Sequence, residues 1–390
     1  MIIGVPKEIM PEEGRVALLP QEVRHLSSRG YKVLVESGAG TGSLIEDSAY
    51  LEAGAALLSD VRELYERSQV VLKVKEPMLN DKIGDHEISL MREGTVLVTF
   101  LHPAAPANHE MVRQLRDRGI IAFSMDAVPR ISRAQPMDAL SSMSAIAGYK
   151  AALMAANRLP KFVPMLGTAA GVVPPANFLV IGIGVVGLQA IATAKRLGGV
   201  VSCVDIRAAA REAGRSLAAK DAGWDVPKEI AEGEGGYARS LPHEWLRREQ
   251  EVLASLAKEA DVVILSAMVP GEEAPVLIMA DVVSSMKPGA VIMDVSIDQG
   301  GNCELTEGGK EVTLGNGVVI NGYKNLPGRM PVHASMLYSR NIYNFLLNLY
   351  KGDSEELDLE DEINNEALVT YQGKILHRGT LKAMDAIQAK

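Results

Sequence analysis

Val180-Ile-Gly-Ile-Gly-Val-Val-Gly-Leu-Gln-Ala-Ile-Ala192 decides how this chain folds. An apolar run, Phe178 to Ile183, leads directly into the pattern Gly-X-Gly-X-X-Gly, and an Ala-rich helical stretch follows at once. Each glycine has its own physical task. Gly182 allows the tight turn, Gly184 lets a pyrophosphate approach the backbone, and Gly187 lets the helix lie close to the strand. The helix N-terminus, with Val185 and Val186 in its first turn, offers unpaired N–H groups and a partial positive charge to phosphate. The next strand, Val200 to Val204, ends in Asp205, eighteen residues after Gly187. A carboxylate there can accept both hydroxyls of an adenosine ribose and repels a 2′-phosphate, which favours NAD over NADP. Ile206 and Arg207 follow as further candidate cofactor contacts; Arg207 can in principle accommodate a phosphate, but Asp205 holds the discriminating position. Phe178 to Ala194 is interrupted only by Gln189 and approaches the length of a membrane span, yet its glycines and strand-like opening favour strand, turn and helix.

Outward from this motif, strand-like runs recur at Val262–Ser266, Val291–Val295 and Val318–Gly322, with helices between them, and Ala267 just beyond the first of these is a further candidate cofactor contact. Upstream, Ile2–Val5, Lys32–Glu36, Val70–Val74, Thr95–Phe100 and Ile120–Ser124 are strand candidates, alternating with helical spacing at Pro20–Arg29, Asp47–Ala55 and Asn108–Arg118. Such alternation predicts parallel sheets covered on both faces, hence an α/β protein of two Rossmann-like, doubly wound domains joined by long helices. An Ala-, Met- and Ser-rich segment from about Met137 to Arg158 reads as a connector helix able to pack closely against a neighbouring domain or subunit. The expected domains are 1–136 with 330–390, and 137–329, with the ligand cleft between them. A helix near Ser335–Tyr350 leads into an acidic run, Asp353–Glu362, which reads as a solvated surface, and into short strands at Leu368–Tyr371 and Lys374–His377.

Composition narrows the function. At 390 residues, 47% hydrophobic and 23% charged, the chain can bury more than one core. With 36 Gly but 5 Phe and 2 Trp, it relies on tight turns rather than aromatic anchors. A net charge of −9 leaves no basic footprint for nucleic acid. Cys203 and Cys303 have no paired spacing, which excludes a disulfide framework and a zinc knuckle and fits a reducing, cytoplasmic setting. No secretory signal is visible from Met1 to Glu8, and no metal-ligand spacing is present.

Pro129-Arg-Ile-Ser-Arg-Ala-Gln-Pro-Met-Asp-Ala-Leu-Ser-Ser-Met143, Ala147-Gly-Tyr-Lys-Ala, Thr168-Ala-Ala-Gly-Val-Val-Pro-Pro-Ala, Gly235-Gly-Tyr-Ala, Val269-Pro-Gly, Gly300-Gly-Asn-Cys and Leu326-Pro-Gly-Arg resemble the alanine dehydrogenase and pyridine nucleotide transhydrogenase family. The resemblance covers nearly the whole chain. Together with the tail at Leu359-Glu-Asp-Glu, it implies the NAD(H)-binding subunit of a split transhydrogenase, which passes hydride to NADP(H) on a partner subunit beside a membrane subunit. It also implies a homodimer or hexamer, peripheral at the cytoplasmic face of the inner membrane through those partners. Arg130, Gln135 and Asp138 match the family's loop of nicotinamide-side contacts, with Ser141 close behind. Tyr237 resembles the tip of a mobile loop that closes over the nucleotide, hinged on its flanking glycines.

The same family contains free-standing amino-acid dehydrogenases, and four positions here match their substrate set: Arg15, Lys75, His102 and Asp298. Arg15 would clamp a carboxylate, Lys75 would bind a 2-oxo group, His102 would move a proton, and Asp298 would orient an amine or water, making L-alanine or another small amino acid the substrate and a 2-oxo acid the product. Transhydrogenase domains commonly depart from these motifs and this chain does not. Against that reading, alanine dehydrogenases lack the Arg130, Gln135 and Asp138 loop in this form. A non-catalytic nucleotide-binding protein is the third class, disfavoured by the retained polar residues.

Overall fold

Short runs of Val, Ile and Leu become fully buried strands because helices cover both faces of a parallel sheet, so no alternation with polar residues is needed. Val262–Leu265 and Val96–Thr99 show this, every residue of each being buried. The computed structural model describes residues 1–269, 272–350 and 356–388. Pro270 and Gly271 of the Val269-Pro-Gly motif, and Asp353 to Glu355 of the acidic run, lie outside the described residues. The chain divides into two units, Met1–Met143 with Pro327–Lys390, and Ser144–Leu326.

The first unit holds an eight-stranded sheet among the described residues, in the spatial order Lys374–Ile375, Leu368–Tyr371, Ile121–Ser124, Val96–Thr99, Val70–Leu72, Ile2–Val5, Lys32–Glu36, Ala56–Leu58. The six strands from Ile121–Ser124 to Ala56–Leu58 are parallel, and the two tail strands add antiparallel at one edge. Helix Pro331–Leu349 starts with Pro at its first turn and buries Tyr338, Ile342, Phe345 and Leu349. The second unit holds seven strands in the order Lys220–Asp221, Val200–Val204, Asn177–Ile181, Val262–Leu265, Val291–Asp294, Val319–Asn321, Glu311–Thr313, all parallel except the last pair. The chain winds in opposite directions on the two sides of Asn177–Ile181, so the end of this strand is the topological switch point, where open α/β sheets bind ligands. Among the described residues no helix is long and apolar enough to cross a membrane.

The expected strands are present, mostly a residue or two shorter. Val70–Val74 stops at Leu72 because Lys73 turns into a buried ionic cluster. The connector, Ala139–Arg158, carries the chain from one unit into the next. Its small residues Ala147, Ala151, Ala152 and Ala155 belong to the same core cluster as Ala190, Ile191 and Ala194 of helix Val185–Arg196. A Cβ at Gly148 would lie 2.2 Å from the Val186 carbonyl oxygen. The small-residue stripe thus serves close packing inside the second unit. The acidic run is also less solvated than expected: Asp361 caps helix Glu362–Ala367 through the N–H groups of Ile363 and Asn364 and pairs with Arg133 at 2.8 Å.

Lys73 is wholly buried, with Nζ 2.8 Å from Glu87 Oε1 and 3.5 Å from Glu8 Oε2. The Tyr65 hydroxyl donates to Glu87 Oε1 at 2.6 Å, and the Val74 N–H donates to Glu8 Oε1 at 2.6 Å. Burial disfavours the Lys73 ammonium, but Glu8 and Glu87 hold its pKa above the ordinary lysine value. Burial pushes the Glu8 carboxyl up to about 7 against the pull of Lys73. Replacing Lys73 by Met leaves Glu8 and Glu87 facing each other without a cation. The expected result is a loss of about 3–5 kcal/mol of stability, read as a lower urea midpoint, and an unchanged midpoint would contradict this account.

Candidate functional site

The glycine turn at the switch point separates what the fold needs from what a ligand needs. Gly182 has φ +86°, and a Cβ there would lie 2.6 Å from the Ala267 nitrogen. A Cβ at Gly187 would lie 2.1 Å from the Gly182 carbonyl oxygen. Both glycines are therefore demanded by the chain's own backbone. Gly184 is different: a Cβ there would meet nothing within 4 Å, so only an incoming group gives this position a reason to lack one. Gly184 is also the N-cap of helix Val185–Arg196 and provides no side-chain cap, which leaves the first-turn N–H groups for an anion. Val186 is buried and Val185 partly exposed beside it. These features fit a dinucleotide pyrophosphate.

Asp205 ends strand Val200–Val204 and is 5% exposed. Its Oδ2 accepts the Ile183 N–H at 2.7 Å, tying the second strand to the glycine turn. The same carboxylate accepts the Arg207 N–H and Nε–H on Oδ1, each at 2.9 Å, and Arg207 Nη2–H on Oδ2 at 2.8 Å. Ile206 is buried between them. Arg207 also donates from Nη1 to the Gly236 carbonyl at 3.3 Å, in the loop that carries Tyr237. Gly235 and Gly236 both have positive φ there, and the Gly233 N–H donates to the Tyr237 carbonyl at 2.8 Å. Behind Asp205, Glu249 on helix His243–Glu259 is 6% exposed; burial, with Asp205 nearby, raises its carboxyl to about 8.

The third wall is built by residues that sequence reasoning does not single out. Ser266 Oγ donates to the Gly182 carbonyl at 2.8 Å. Asn302, wholly buried, accepts the Ala267 N–H at 3.0 Å and donates to the Ala267 and Pro275 carbonyls at 2.9 and 2.8 Å. Ser296 Oγ donates to Asn302 Oδ1 at 2.7 Å. Asp294 accepts the Asn302 and Cys303 N–H groups at 2.9 and 3.0 Å and the Thr306 hydroxyl at 2.9 Å. The signal that could have found them is Gly300-Gly301-Asn302, whose glycines have φ +103° and +88° and aim the Asn inward. Asp298 is exposed on the adjoining turn Val295–Gln299.

In the first unit, Arg15, Lys75 and His102 follow Ile2–Val5, Val70–Leu72 and Val96–Thr99, three adjacent parallel strands, so all three emerge beyond carboxyl ends. Arg15 is buried and bound through Nε and Nη2 to Glu13, at 2.7 and 2.5 Å. Lys75 is half-buried, and its carbonyl accepts the Thr99 hydroxyl at 2.8 Å. His102 has φ +43° and stacks on Phe100, with ring centroids 5.8 Å apart. Its Nδ1 lies 3.4 Å from Asp126 Oδ2. The surrounding chain disfavours the charged imidazole, but Asp126 outweighs this and raises the His102 pKa above its ordinary value. Asp126 is held well below the usual carboxylate range, because His102 and its hydrogen bonds overcome the cost of burial.

Arg130 and Gln135 are exposed, the latter in the turn Ser132–Met137, and Asn341 anchors that turn by donating to the Pro136 carbonyl at 2.9 Å. Asp138 accepts the Ser141 N–H at 2.8 Å and the Ser141 hydroxyl at 2.6 Å at the start of the connector helix. Arg130, Gln135, Asp138 and Ser141 belong to the first unit, whereas Gly182, Gly184, Gly187, Asp205, Tyr237, Ala267 and Asp298 belong to the second.

Models of the alanine dehydrogenase/PNT N-terminal and C-terminal domains match residues 4–147 and 151–378. The chain belongs to the alanine dehydrogenase and pyridine nucleotide transhydrogenase family. It is 43% identical over 380 residues to the first of the separate alpha-subunit chains of NAD(P) transhydrogenase from Rhodospirillum rubrum, covering 97% of this chain and 98% of that protein. A crystal structure of transhydrogenase from Sinorhizobium meliloti superposes with a TM-score of 0.83 at 38% identity, covering 96% of this chain and all of that one. Alanine dehydrogenase of Bacillus subtilis is 36% identical over 85% of this chain and 81% of its own. The family's fold, two Rossmann-like units, is the α/β architecture described above.

Two measurements check this site. Gly184→Ala is expected to keep its thermal midpoint while NADH affinity, read by fluorescence titration, falls at least about tenfold, whereas Gly187→Ala lowers the midpoint itself. By NMR, the His102 imidazole should titrate above 6.5 and move to lower pH in Asp126→Asn, whose amide oxygen still serves the backbone donors. An unmoved titration would show that Asp126 does not hold the imidazole charge.

Proposed function

We propose that the chain binds NAD(H) on its second unit and exchanges hydride with NADP(H) carried by a separate transhydrogenase subunit. The observation that carries this reading is the match, almost end to end, with a transhydrogenase alpha-subunit chain of nearly the same length. The glycine turn supports it independently, since the unfilled space beside Gly184 and the uncapped helix suit a pyrophosphate. Bound nicotinamide would supply the hydride chemistry. The chain's own work is then to hold and to shield. The first-turn N–H groups of Val185–Arg196 take the phosphates, Asp205 addresses the adenosine ribose, and the Asn302 and Ser296 network keeps the Ala267 backbone rigid. We assign Arg130, Gln135 and Asp138 to hydrogen bonding during the reaction, Ser141 to orienting the Asp138 carboxylate, and Tyr237 to the loop that covers the nucleotide. Partner subunits place such a protein at a membrane surface, and self-association accompanies this reading.

A second reading, NAD-dependent oxidation of a small L-amino acid, is favoured by Arg15, Lys75 and His102 following adjacent strands and by the Asp126 carboxylate behind His102. Arg15 weakens it, because two of its nitrogens already bind Glu13, which leaves less of the guanidinium fork for a substrate carboxylate.

The deciding experiment supplies the purified chain with NAD and small L-amino acids at alkaline pH, then with NADH and an NADP-loaded transhydrogenase subunit. Hydride transfer only in the second mixture is the expected result, with at least about a tenfold loss for Gln135→Ala or Asp138→Ala. Amino-acid turnover by the chain alone, lost in His102→Ala, would replace this reading by the second.

A further inference from the structure

The Asp205 carboxylate has about four acceptor positions, and the structure fills four: the Ile183 N–H, the Arg207 N–H, and Arg207 Nε–H and Nη2–H. Two of these donors are backbone groups and cannot leave without moving the glycine turn. The guanidinium is the movable pair. A ribose diol that uses Asp205 must therefore displace it, and the displaced group stays at the ribose edge because Arg207 is the N-cap residue of helix Ala208–Ser216.

That position suits a second anion. Helix Ala208–Ser216 has no side-chain cap and no acidic residue in its first turn. The neighbouring cation, Arg211, is already committed: it donates to the Asp205 and Trp224 carbonyls at 3.2 and 2.9 Å and pairs with Asp225 at 3.0 Å. Arg207 is 20% exposed at its side chain and can turn outward. Among the described residues its positive charge is met at contact distance by Asp205, with the Glu232 carboxylate as a further acidic neighbour.

We propose that Arg207 is a latent receptor for the 2′-phosphate of NADP(H), kept out of use by its ion pair with Asp205, so that the pair and not the carboxylate alone sets the cofactor preference of this site. The proposal rests on the NAD(H) reading. In the native chain a 2′-phosphate meets the Asp205 charge, and Arg207 cannot neutralise both. Removing the carboxylate charge releases the guanidinium, which can then take the phosphate in a charge-assisted, forked hydrogen bond.

The test is NADH and NADPH affinity, by fluorescence titration, for the native chain, Asp205→Asn, and Asp205→Asn with Arg207→Met, with Asp205→Ser as the substitute if Asn disturbs folding by circular dichroism. Asn retains an oxygen for the Ile183 N–H. The expected result is that Asp205→Asn gains at least about tenfold in NADPH affinity and loses NADH affinity, that adding Arg207→Met removes the gain, and that adding Glu232→Gln enlarges it. An NADPH gain that survives Arg207→Met, or no gain in a variant that still binds NADH, overturns the proposal. A native chain that binds no NADH overturns the NAD(H) reading first, and this proposal falls with it.

Discussion

At the switch point of the second sheet, the backbone of the glycine turn presses against the neighbouring backbone on two sides. The space for a side chain at Gly187 is taken by the Gly182 carbonyl, and the space at Gly182 by the Ser266–Ala267 peptide. This contact sets the distance between strand Asn177–Ile181, helix Val185–Arg196 and the end of strand Val262–Leu265. The first turn of the helix is then held against the sheet with its N–H groups uncapped, and the polar residues around it are arranged to keep it there. Ser266 binds the Gly182 carbonyl, Asp205 binds the Ile183 N–H, and Asn302 fixes Ala267 from the far side. A site of this kind is rigid before any ligand arrives, which is the condition under which fixed dipoles act without reorganisation cost.

The first unit depends on buried charge rather than on close backbone contact. Lys73, Glu8, Glu87 and Tyr65 form a cluster under the carboxyl ends of the strands, and Glu8 accepts the backbone N–H of Val74 just before Lys75. The Lys75 backbone is thereby positioned by a neighbour in the core. His102 and Asp126 are a similar arrangement one strand further on, with the carboxylate also accepting the His102 N–H at 3.2 Å. These residues suit proton handling, and they are what keeps the amino-acid dehydrogenase reading in contention. Yet a family can retain polar residues for the stability of a strand end after their chemistry is no longer used, and the Glu13 partner of Arg15 is a contact of that structural sort. The transhydrogenase reading stands on similarity over the whole length and on a glycine turn shaped for a dinucleotide.

Much of this is legible in the sequence. Runs such as Val262–Leu265 announce a buried parallel strand through continuous apolar character, and the spacing of Gly182, Gly184, Gly187 and Asp205 announces a dinucleotide turn, because both signals are local and the backbone conformation they require is narrow. Short edge strands, Ala56–Leu58, Lys220–Asp221 and Glu311–Thr313, leave no such trace, since edges are partly exposed and their pairing is set by the strand alongside. The antiparallel placement of Leu368–Tyr371 beside Ile121–Ser124 is equally invisible, the Thr370 hydroxyl and the Ile120 carbonyl it meets being 250 residues apart.

What the sequence determined by itself was the class of fold and the ligand chemistry of one turn, both encoded in periodicity and in residues with special backbone freedom. Only the tertiary structure decided the partners of the polar side chains. By sequence Asp205 is an open acceptor, whereas in the fold its oxygens are saturated by Arg207 and Ile183. Asp138 holds Ser141, Asp126 holds the charge of His102, and Asn302 reaches Ala267 across thirty-five residues of chain. A hydrogen bond depends on the distance and angle between two groups, and for groups far apart along the chain those quantities exist only after the strands have found their neighbours.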